Sequence, residues 1–379
     1  MRRIIAIAAA AVAALPLCGV VDAQNRTPDP ERYARCEAGL HEIIVRAGIP
    51  SISLVYVSPE DSMSFSVVNE EFYAREGVTK EVLPISDKSI YQACSISKLP
   101  LAYIAVRMMD NGELELEKPL WEYYPGLLDM FATDQDKEYA KLLNARICLT
   151  HRTGLDNKTY SAMTFGFIPD EKFKYSGPGM YALQCTIEHI KGSTLDKIAD
   201  EMVFTPLGMH NTSYLWNDSY ESMHLYGHGT DLKTSRNNNW AGGKCNAAYS
   251  MRTNAAELTA FIRCVMHGWG LSGEAFAMMT KPYGKSLPAS YKERERRSMF
   301  RCLGWVLEKN SEFGPVYLHT GNNVRFKGLA LYMPEKDASL VYLVNGQYSC
   351  NINDAILPLF FDNSEPFSFV AKAKPLPEK

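Results

Sequence analysis

No long lysine- or arginine-rich run, no internal repeat and no low-complexity tract occurs anywhere in the 379 residues. The first absence removes the usual electrostatic footprint of a nucleic-acid partner, and the formal net charge of −3 points the same way. The most charged stretch, Lys292-Glu293-Arg294-Glu295-Arg296-Arg297, mixes signs and reads as a solvated loop or helix face. Cysteine pairs at redox or zinc spacing are missing too. The nine cysteines include no CxxC and no zinc-knuckle pattern, so most read as small buried side chains. His224 and His228 lack an evident third ligand and read as loop residues, so no metal is expected. What remains is an ordinary globular composition, 46% hydrophobic and 22% charged, in a chain long enough for one large domain or two lobes.

The first residues stand apart. Met1-Arg2-Arg3 is basic, Ile4 to Leu17 is apolar and rich in alanine, and Val21-Asp22-Ala23 supplies a small-residue cleavage site. This is the pattern of a secretory signal peptide over 1–23. An uncleaved anchor is the rival reading, since the apolar stretch nearly reaches spanning length. A lipoprotein signal at Cys18 is a third, opposed by the bulky Leu17 before it. Cleavage predicts an exported protein, periplasmic or secreted, that meets a membrane only if this segment is retained or lipidated. Gln24 to Pro30 then reads as a short linker. Export makes disulfides feasible among the remaining eight cysteines, without fixing any pairing. Four Asn-x-Ser/Thr sites, at Asn25, Asn157, Asn211 and Asn217, matter only in a host that glycosylates exported proteins.

From Glu31 to Gly48 the apolar spacing predicts a helix, followed by strands around Ile52–Tyr56 and Met63–Val67 with a turn at Pro59-Glu60-Asp61. The far end mirrors this: Gly328–Met333 and Ser339–Val344 are joined by Pro334-Glu335-Lys336-Asp337, a hairpin signal. The middle is mainly helical. One stripe runs from Leu101 to Met109 and stops at Asn111-Gly112. A second helix has Pro178 in its first turn and Gly192 at its end, and a third starts at Asn254 with Glu257. Strands at both ends and helices between predict an α+β fold, with one antiparallel sheet built from the two termini and flanked by helices. The α/β lobe covers about 31–94 and 298–365, the inserted helical lobe about 95–297, within a domain spanning 24–379. The cleft falls where the lobes meet.

Three segments carry chemistry. In Ser95-Ile96-Ser97-Lys98, at the start of a predicted helix, positions i and i+3 share a face. The Lys98 amine can therefore reach the Ser95 hydroxyl, and a desolvated lysine can take its proton. The helix start also offers N–H groups to a developing oxyanion. Such a pair occurs by chance in most proteins of this length, where it is a capping serine beside a solvated lysine. Tyr175-Ser176-Gly177 precedes a helix, and a tyrosine there can pass a proton between nucleophile and leaving group. His319-Thr320-Gly321 ends the strand-like Pro315–Leu318. His319 can supply a proton or hydrogen bond, and Gly321 admits a substrate backbone.

The order of these segments resembles the penicillin-recognising serine hydrolases, in the branch of class C β-lactamases, D-alanyl-D-alanine carboxypeptidases, D-aminopeptidases and β-lactamase-fold esterases. Leu149-Thr150-His151-Arg152-Thr153-Gly154-Leu155, Pro206-Leu207-Gly208-Met209 and Tyr249-Ser250-Met251 add to the resemblance, which covers nearly all of the mature chain. It implies a β-lactamase/transpeptidase-like fold, with Ser95 forming an acyl-enzyme, Lys98 helping to deprotonate it, and Tyr175 acting as general base and acid. It further implies that His319 and Thr320 line the opposite wall and contact substrate, a carboxylate among its groups, and that the N–H groups of Ser95 and Asn322 form the oxyanion hole. His151 receives no catalytic part, and neither metal nor organic cofactor is implied.

Two departures stand out. Gly177 replaces the asparagine of the family's Tyr-x-Asn, which binds a substrate amide, and this weighs against peptide-like substrates. Like His319 in place of lysine, it also argues against efficient β-lactam hydrolysis. Pro100, five residues after Ser95, removes a helical hydrogen bond and is expected to bend or tighten the helix start. The expectation is an exported acyl hydrolase working on an ester, a D-amino-acid peptide or a peptidoglycan-derived substrate, with weak or no β-lactamase activity. The alternative is a silent relative that binds peptidoglycan fragments or a partner protein.

Overall fold

Helix α1, Pro30–Ala47, starts where the sequence reading places it. The Asp29 carboxylate accepts from the N–H groups of Glu31 and Arg32 at 3.2 and 3.3 Å, and Gly48 ends the helix in the left-handed region at φ 64°. The coordinates are a computed structural model describing residues 28–81, 84–157, 159–235, 244–310, 312–362, 367–370 and 374–378. The expected signal peptide, with Cys18, and the start of the linker, with Asn25, lie outside the described residues. None of the described helices is long and apolar enough to cross a membrane.

Eight strands form one antiparallel sheet. They are β1 Ser51–Val57, β2 Ser62–Val68, β3 Gly284–Lys285, β4 Met299–Arg301, β5 Val306–Asn310, β6 Gly314–Asn322, β7 Lys327–Met333 and β8 Ala338–Val344. Their order is β2-β1-β8-β7-β6-β5-β4-β3, so the two ends of the chain meet at the β1–β8 pair, where Leu54 stands opposite Tyr342. This is the predicted antiparallel sheet, extended at one edge by β5, β4 and β3, which no apolar run singled out and of which β3 falls within the segment read as the helical lobe. Every residue of β1 and β8 is buried, as central strands covered on both faces require. Alternate residues feed two cores. Leu54, Leu329 and Leu340 pack under α1 and the C-terminal segment, whereas Val55, Ala330 and Val341 pack against the helices on the other face.

The helical part centres on α2, Lys98–Asp110, in which residues 98–106 are all buried. Around it lie α3, Gly177–Lys191, and α4, Ala255–Met266. α3 is capped by Ser176 and ends at Gly192 in the left-handed region, while Asn254 Oδ1 accepts from the Glu257 N–H at 2.8 Å to start α4. Asn111 and Gly112 terminate α2 as predicted. Pro100 is the third residue of α2, where an N–H has no acceptor within the helix, so it neither kinks nor breaks it.

The strand containing His319 runs further than the sequence suggested. β6 does not stop at Leu318 but continues through His319-Thr320-Gly321-Asn322, held there by β7 through the pairs His319–Ala330 to Asn322–Lys327. Pairing with β5 does stop at Leu318, which leaves one edge of residues 319–322 without a strand partner. The chain just before Ser95 comes up beside this stretch. A Cβ on Gly321 would lie 2.6 Å from the Ala93 carbonyl oxygen and 2.9 Å from the Cys94 Cβ. The glycine was expected to admit a substrate backbone; the backbone that comes this close is the protein's own. Gly321→Ala should therefore lower stability by about 1–3 kcal/mol through overpacking. It should also reduce hydrolytic activity more than Gly284→Ala, whose Cβ meets nothing closer than 3.6 Å. Chemical denaturation of both variants, with an ester assay, checks this.

Candidate active site

Ser95 sits in a single 3-10 turn, Cys94–Ser97, that leads directly into α2, rather than in the α-helix itself. Of residues 91–100 only Ser95 is not buried. The turn is pinned from several directions. Ser97 Oγ donates to the Cys94 carbonyl and accepts from the Met251 N–H at 3.0 Å, and the Tyr214 hydroxyl donates to the Ser97 carbonyl at 2.5 Å. Cys94 holds a left-handed φ of 55°, a conformation that only surrounding contacts sustain in a residue with a side chain. Its thiol lies 3.2 Å from the Phe326 carbonyl oxygen, tying the turn to the segment between β6 and β7.

Lys98 lies one turn on. Its side chain is fully buried, and Nζ donates to the Ala248 carbonyl at 2.5 Å. The ammonium stands 4.9 Å from the centre of the Tyr175 ring. Burial lowers the lysine's pKa, against the pull of the Tyr175 hydroxyl, and the Arg301 charge lowers it further. Although this ammonium and the Tyr175 hydroxyl attract each other, they do not meet hydrogen-bond geometry, so the buried Tyr175 Oη has no hydrogen-bond partner among the described residues.

His319 is buried on β6 within electrostatic reach of Lys98. Its Nδ1 is 2.8 Å from the Thr320 carbonyl oxygen, so a hydrogen bond there puts the proton on that nitrogen, and Nε2 is buried without a partner among the described residues. Thr320 and Asn322 are exposed and, by strand alternation, stand on the opposite pleat from His319 and Gly321. The unpaired strand edge at 319–322 is thus the part of Thr320 and Asn322 that a ligand beside Gly321 would meet. Asn323 joins this edge to the rest of the cleft: its Nδ2 donates to Gln92 Oε1 at 2.9 Å and to the Tyr249 carbonyl at 3.3 Å.

Two residues that the sequence reading passed over share the site. His151, read as structural, is buried with a φ of 57°, and its ring centre lies 4.3 Å from that of Tyr175. Its Nδ1 faces the Ser176 backbone at 3.2 Å. Arg301, at the end of β4, sets its guanidinium 5.8 Å from the Tyr175 ring centre and 5.3 Å from that of Phe173. Arg301 Nε and Nη1 are buried with no hydrogen-bond partner among the described residues, and burial brings its pKa down to about 10. Both histidines are held well below their usual pKa, first by burial and then by the charges of Lys98 and Arg301. Among the described residues no carboxylate pairs with Lys98 or Arg301. The site is therefore a desolvated, positively charged pocket around a tyrosine hydroxyl, suited to developing negative charge. The alternation Met299-Phe300-Arg301 in a short strand would have flagged the inward position; its arginine carries no motif signal.

Gly177 opens α3 beside the same residues, and its N–H donates to Asn157 Oδ1 at 2.9 Å. His224 and His228 lie elsewhere. Both are buried rather than in an exposed loop, His228 in a two-residue strand 3.5 Å from Glu81. The described residues contain no group of three or more metal-ligating side chains. All eight cysteines from Cys36 to Cys350 are free thiols, six of them buried.

The family model described as Beta-lactamase matches residues 48–357. A β-lactamase from Pseudomonas fluorescens is 23% identical over 309 residues, covering 70% of this chain and 82% of that protein. Among solved structures, the D-alanine carboxypeptidase AmpC from Burkholderia cenocepacia superposes with a TM-score of 0.70 at 16% identity, over 87% of this chain and 98% of the other. The D-amino acid amidase from Ochrobactrum anthropi SV3, with D-phenylalanine bound, gives 0.68 at 17% identity, over 88% and 100%. With the family match spanning most of the sequence, and the predicted fold seen in both the sheet and these neighbours, the chain belongs to the beta-lactamase family, which supports a hydrolase.

Proposed function

We propose that this protein is an exported acyl hydrolase that works through an acyl-enzyme on Ser95, taking esters or D-amino-acid peptides and acting weakly or not at all as a β-lactamase. The observation that carries this reading is the placement of Ser95, half-buried in a turn whose neighbours are all buried, three residues before a fully buried lysine of lowered pKa. Ser95 Oγ attacks the acyl carbonyl carbon while its proton passes to the neutral Lys98 amine. The oxyanion forms opposite the N–H groups of Ser95 and Asn322. Collapse breaks the bond to the alcohol or amine, which leaves with a proton delivered through Tyr175. A water then attacks the acyl-enzyme, giving its proton to the same pair, and releases the acid. Arg301 supplies positive charge for the negative charge that builds during both steps, while His319, held neutral, lines the wall beside Lys98. No step calls for a metal or an organic cofactor.

The acyl-enzyme is tested by intact-protein mass spectrometry after exposure to a penicillin and, separately, to a slowly turned-over ester. The native protein should gain the acyl mass and Ser95→Ala should not. Equal p-nitrophenyl ester hydrolysis by Ser95→Ala and the native protein would end the proposal.

The lowered pKa of Lys98 has a sign that can be checked. Below the ordinary lysine value, roughly 10.4, the unfolded chain holds the Lys98 proton more tightly than the folded one. Stability attributable to this group therefore rises with pH toward that value. The rate should rise in the same direction, as the base form fills, with a limb below the ordinary lysine range. Lys98→Met should flatten the stability slope in pH-dependent denaturation and remove most activity.

Arg301 makes a separable prediction. A buried cation with ring contacts but no carboxylate among the described residues is unfavourable for folding, so Arg301→Met should raise the melting temperature. If the charge serves the reaction, the same change should reduce kcat/KM by roughly a hundredfold, the scale of losing one preorganised charge-stabilising group. A raised melting temperature with unchanged kcat/KM would show that Arg301 has no part in turnover.

A further inference from the structure

Lys98 is held by a segment that has neither helix nor strand of its own. In residues 245–250 the N–H groups of Tyr249 and Ser250 both donate to the Asn246 carbonyl, at 3.1 and 3.0 Å, and close a turn. The Ala248 carbonyl, which accepts from Lys98 Nζ, sits within that turn. Among the described residues no strand pairs with 245–250, and the backbone groups at its start go to one side chain instead. That side chain is Gln184, in α3 and 1% exposed. Its Oε1 accepts from the Ala247 N–H at 2.8 Å, and its Nε2 donates to the Cys245 carbonyl at 3.1 Å.

The Gln184 carboxamide has one workable orientation. Its nitrogen also donates to Glu188 Oε1 at 3.1 Å, an oxygen that accepts from the Leu195 N–H at 2.7 Å. Turned over, the amide would set oxygen against oxygen on one side and N–H against N–H on the other. It therefore grips alternate backbone positions, 245 and 247, as a neighbouring strand would. The next residues are held from within the turn. Asn246 Oδ1 accepts from the Ala248 N–H at 2.9 Å, and the Asn246 N–H donates to Ser250 Oγ at 2.9 Å. With the N–H groups of Ala247, Ala248 and Tyr249 all engaged, the Ala248 carbonyl has a fixed direction, and Lys98 Nζ meets it there. α3 starts just after Tyr175, and Gln184 lies about two turns along it. One helix thus registers Tyr175 at its head and, further down, the acceptor of Lys98.

We infer that Gln184 is a positioning residue for Lys98: by gripping residues 245–247 it holds the Ala248 carbonyl against the Lys98 ammonium, and so sets the base of the site beside Tyr175. This inference rests on the part proposed for Lys98 in the Ser95 reaction. The other groups around the ammonium give it no anion to lean on. Tyr175 and Cys94 favour its charge, Arg301 opposes it, and His151 and His319 stand within electrostatic reach. Among the described residues the Ala248 carbonyl is the acceptor at hydrogen-bond distance, and it favours the charged form. Releasing that carbonyl leaves the buried ammonium less favoured, so its proton comes off at lower pH.

Gln184→Met keeps most of the side chain's bulk and removes both contacts to the turn. With p-nitrophenyl propionate and the full chain, the acid limb of its kcat/KM profile should move down by about one pH unit, the scale of one hydrogen bond to a charged group. The plateau should fall about tenfold as the base loses its alignment. Thr186→Val is the control. It removes a buried hydroxyl that donates to the Ala182 carbonyl at 3.0 Å, two residues on and so across the helix from Gln184. It should lower the melting temperature and leave the limb in place. If Gln184→Met does not fold, Gln184→Ala, whose cavity admits water to the two freed backbone groups, is read in the same way. A limb that stays or moves up in the Gln184 variant overturns the inference, whatever the plateau or melting temperature does. So does a limb that moves as far in Thr186→Val. If the native protein hydrolyses no ester, the Ser95 reaction fails, and the inference is decided by NMR titration of the chain labelled with [ε-13C]lysine, with Lys98→Met identifying the resonance. A Lys98 titration point lower in the Gln184 variant than in the native protein supports it, and an equal or higher one overturns it.

Discussion

The site depends on one close approach between two backbones. Gly321 in β6 and Ala93-Cys94 before the nucleophile come together at a distance that leaves no room for a methyl group. That contact sets the spacing between the turn bearing Ser95 and the strand bearing His319. It also holds Cys94 in a conformation that residues with a side chain seldom adopt. The hydrogen bonds of Ser97 and the thiol of Cys94 then lock the turn to elements on both sides. With the turn fixed, α2 follows from it, and Lys98 has nowhere to go but into the space between Tyr175 and Ala248.

Around that frame the protein gathers charge without neutralising it. Lys98 and Arg301 are both fully desolvated, two histidines are held neutral beside them, and no carboxylate of the described residues balances the group. Such an arrangement works against folding and is sustained by the packing on either side, including a sheet with buried residues on both faces. It is the electrostatic counterpart of the strained turn: an unfavourable local state kept in place by the rest of the molecule, ready for negative charge to arrive.

Much of this was legible in the sequence because it is local. Caps at Asn254 and Gly192, alternation in β2, and the Pro334–Asp337 turn each follow from a few neighbouring residues. Ser95, Lys98, Tyr175 and His319 could be named because the motifs are short and ordered, and the structure gathers the last three around one desolvated pocket beside the turn that carries Ser95. What the sequence hid is what depends on distant contacts. Pro100 looked disruptive because the 3-10 turn before it was not foreseen. That Asn157, twenty residues away, accepts from the Gly177 N–H is likewise a contact that no local spacing signals. Arg301 and His151 join the site only through tertiary packing, and neither carries a spacing signal.

The pairing of β1 with β8 has a consequence for how the molecule is made. The middle of the sheet joins strands from opposite ends of the chain, and the strand carrying His319 belongs to its late-synthesised part. Neither the sheet nor the cleft can close until almost the whole polypeptide has emerged. Contacts of such long range form slowly. A nascent chain of this topology therefore stays uncommitted for most of its synthesis, so its hydrolytic power comes into being only at the end, all at once, wherever the finished polypeptide first finds itself free to fold.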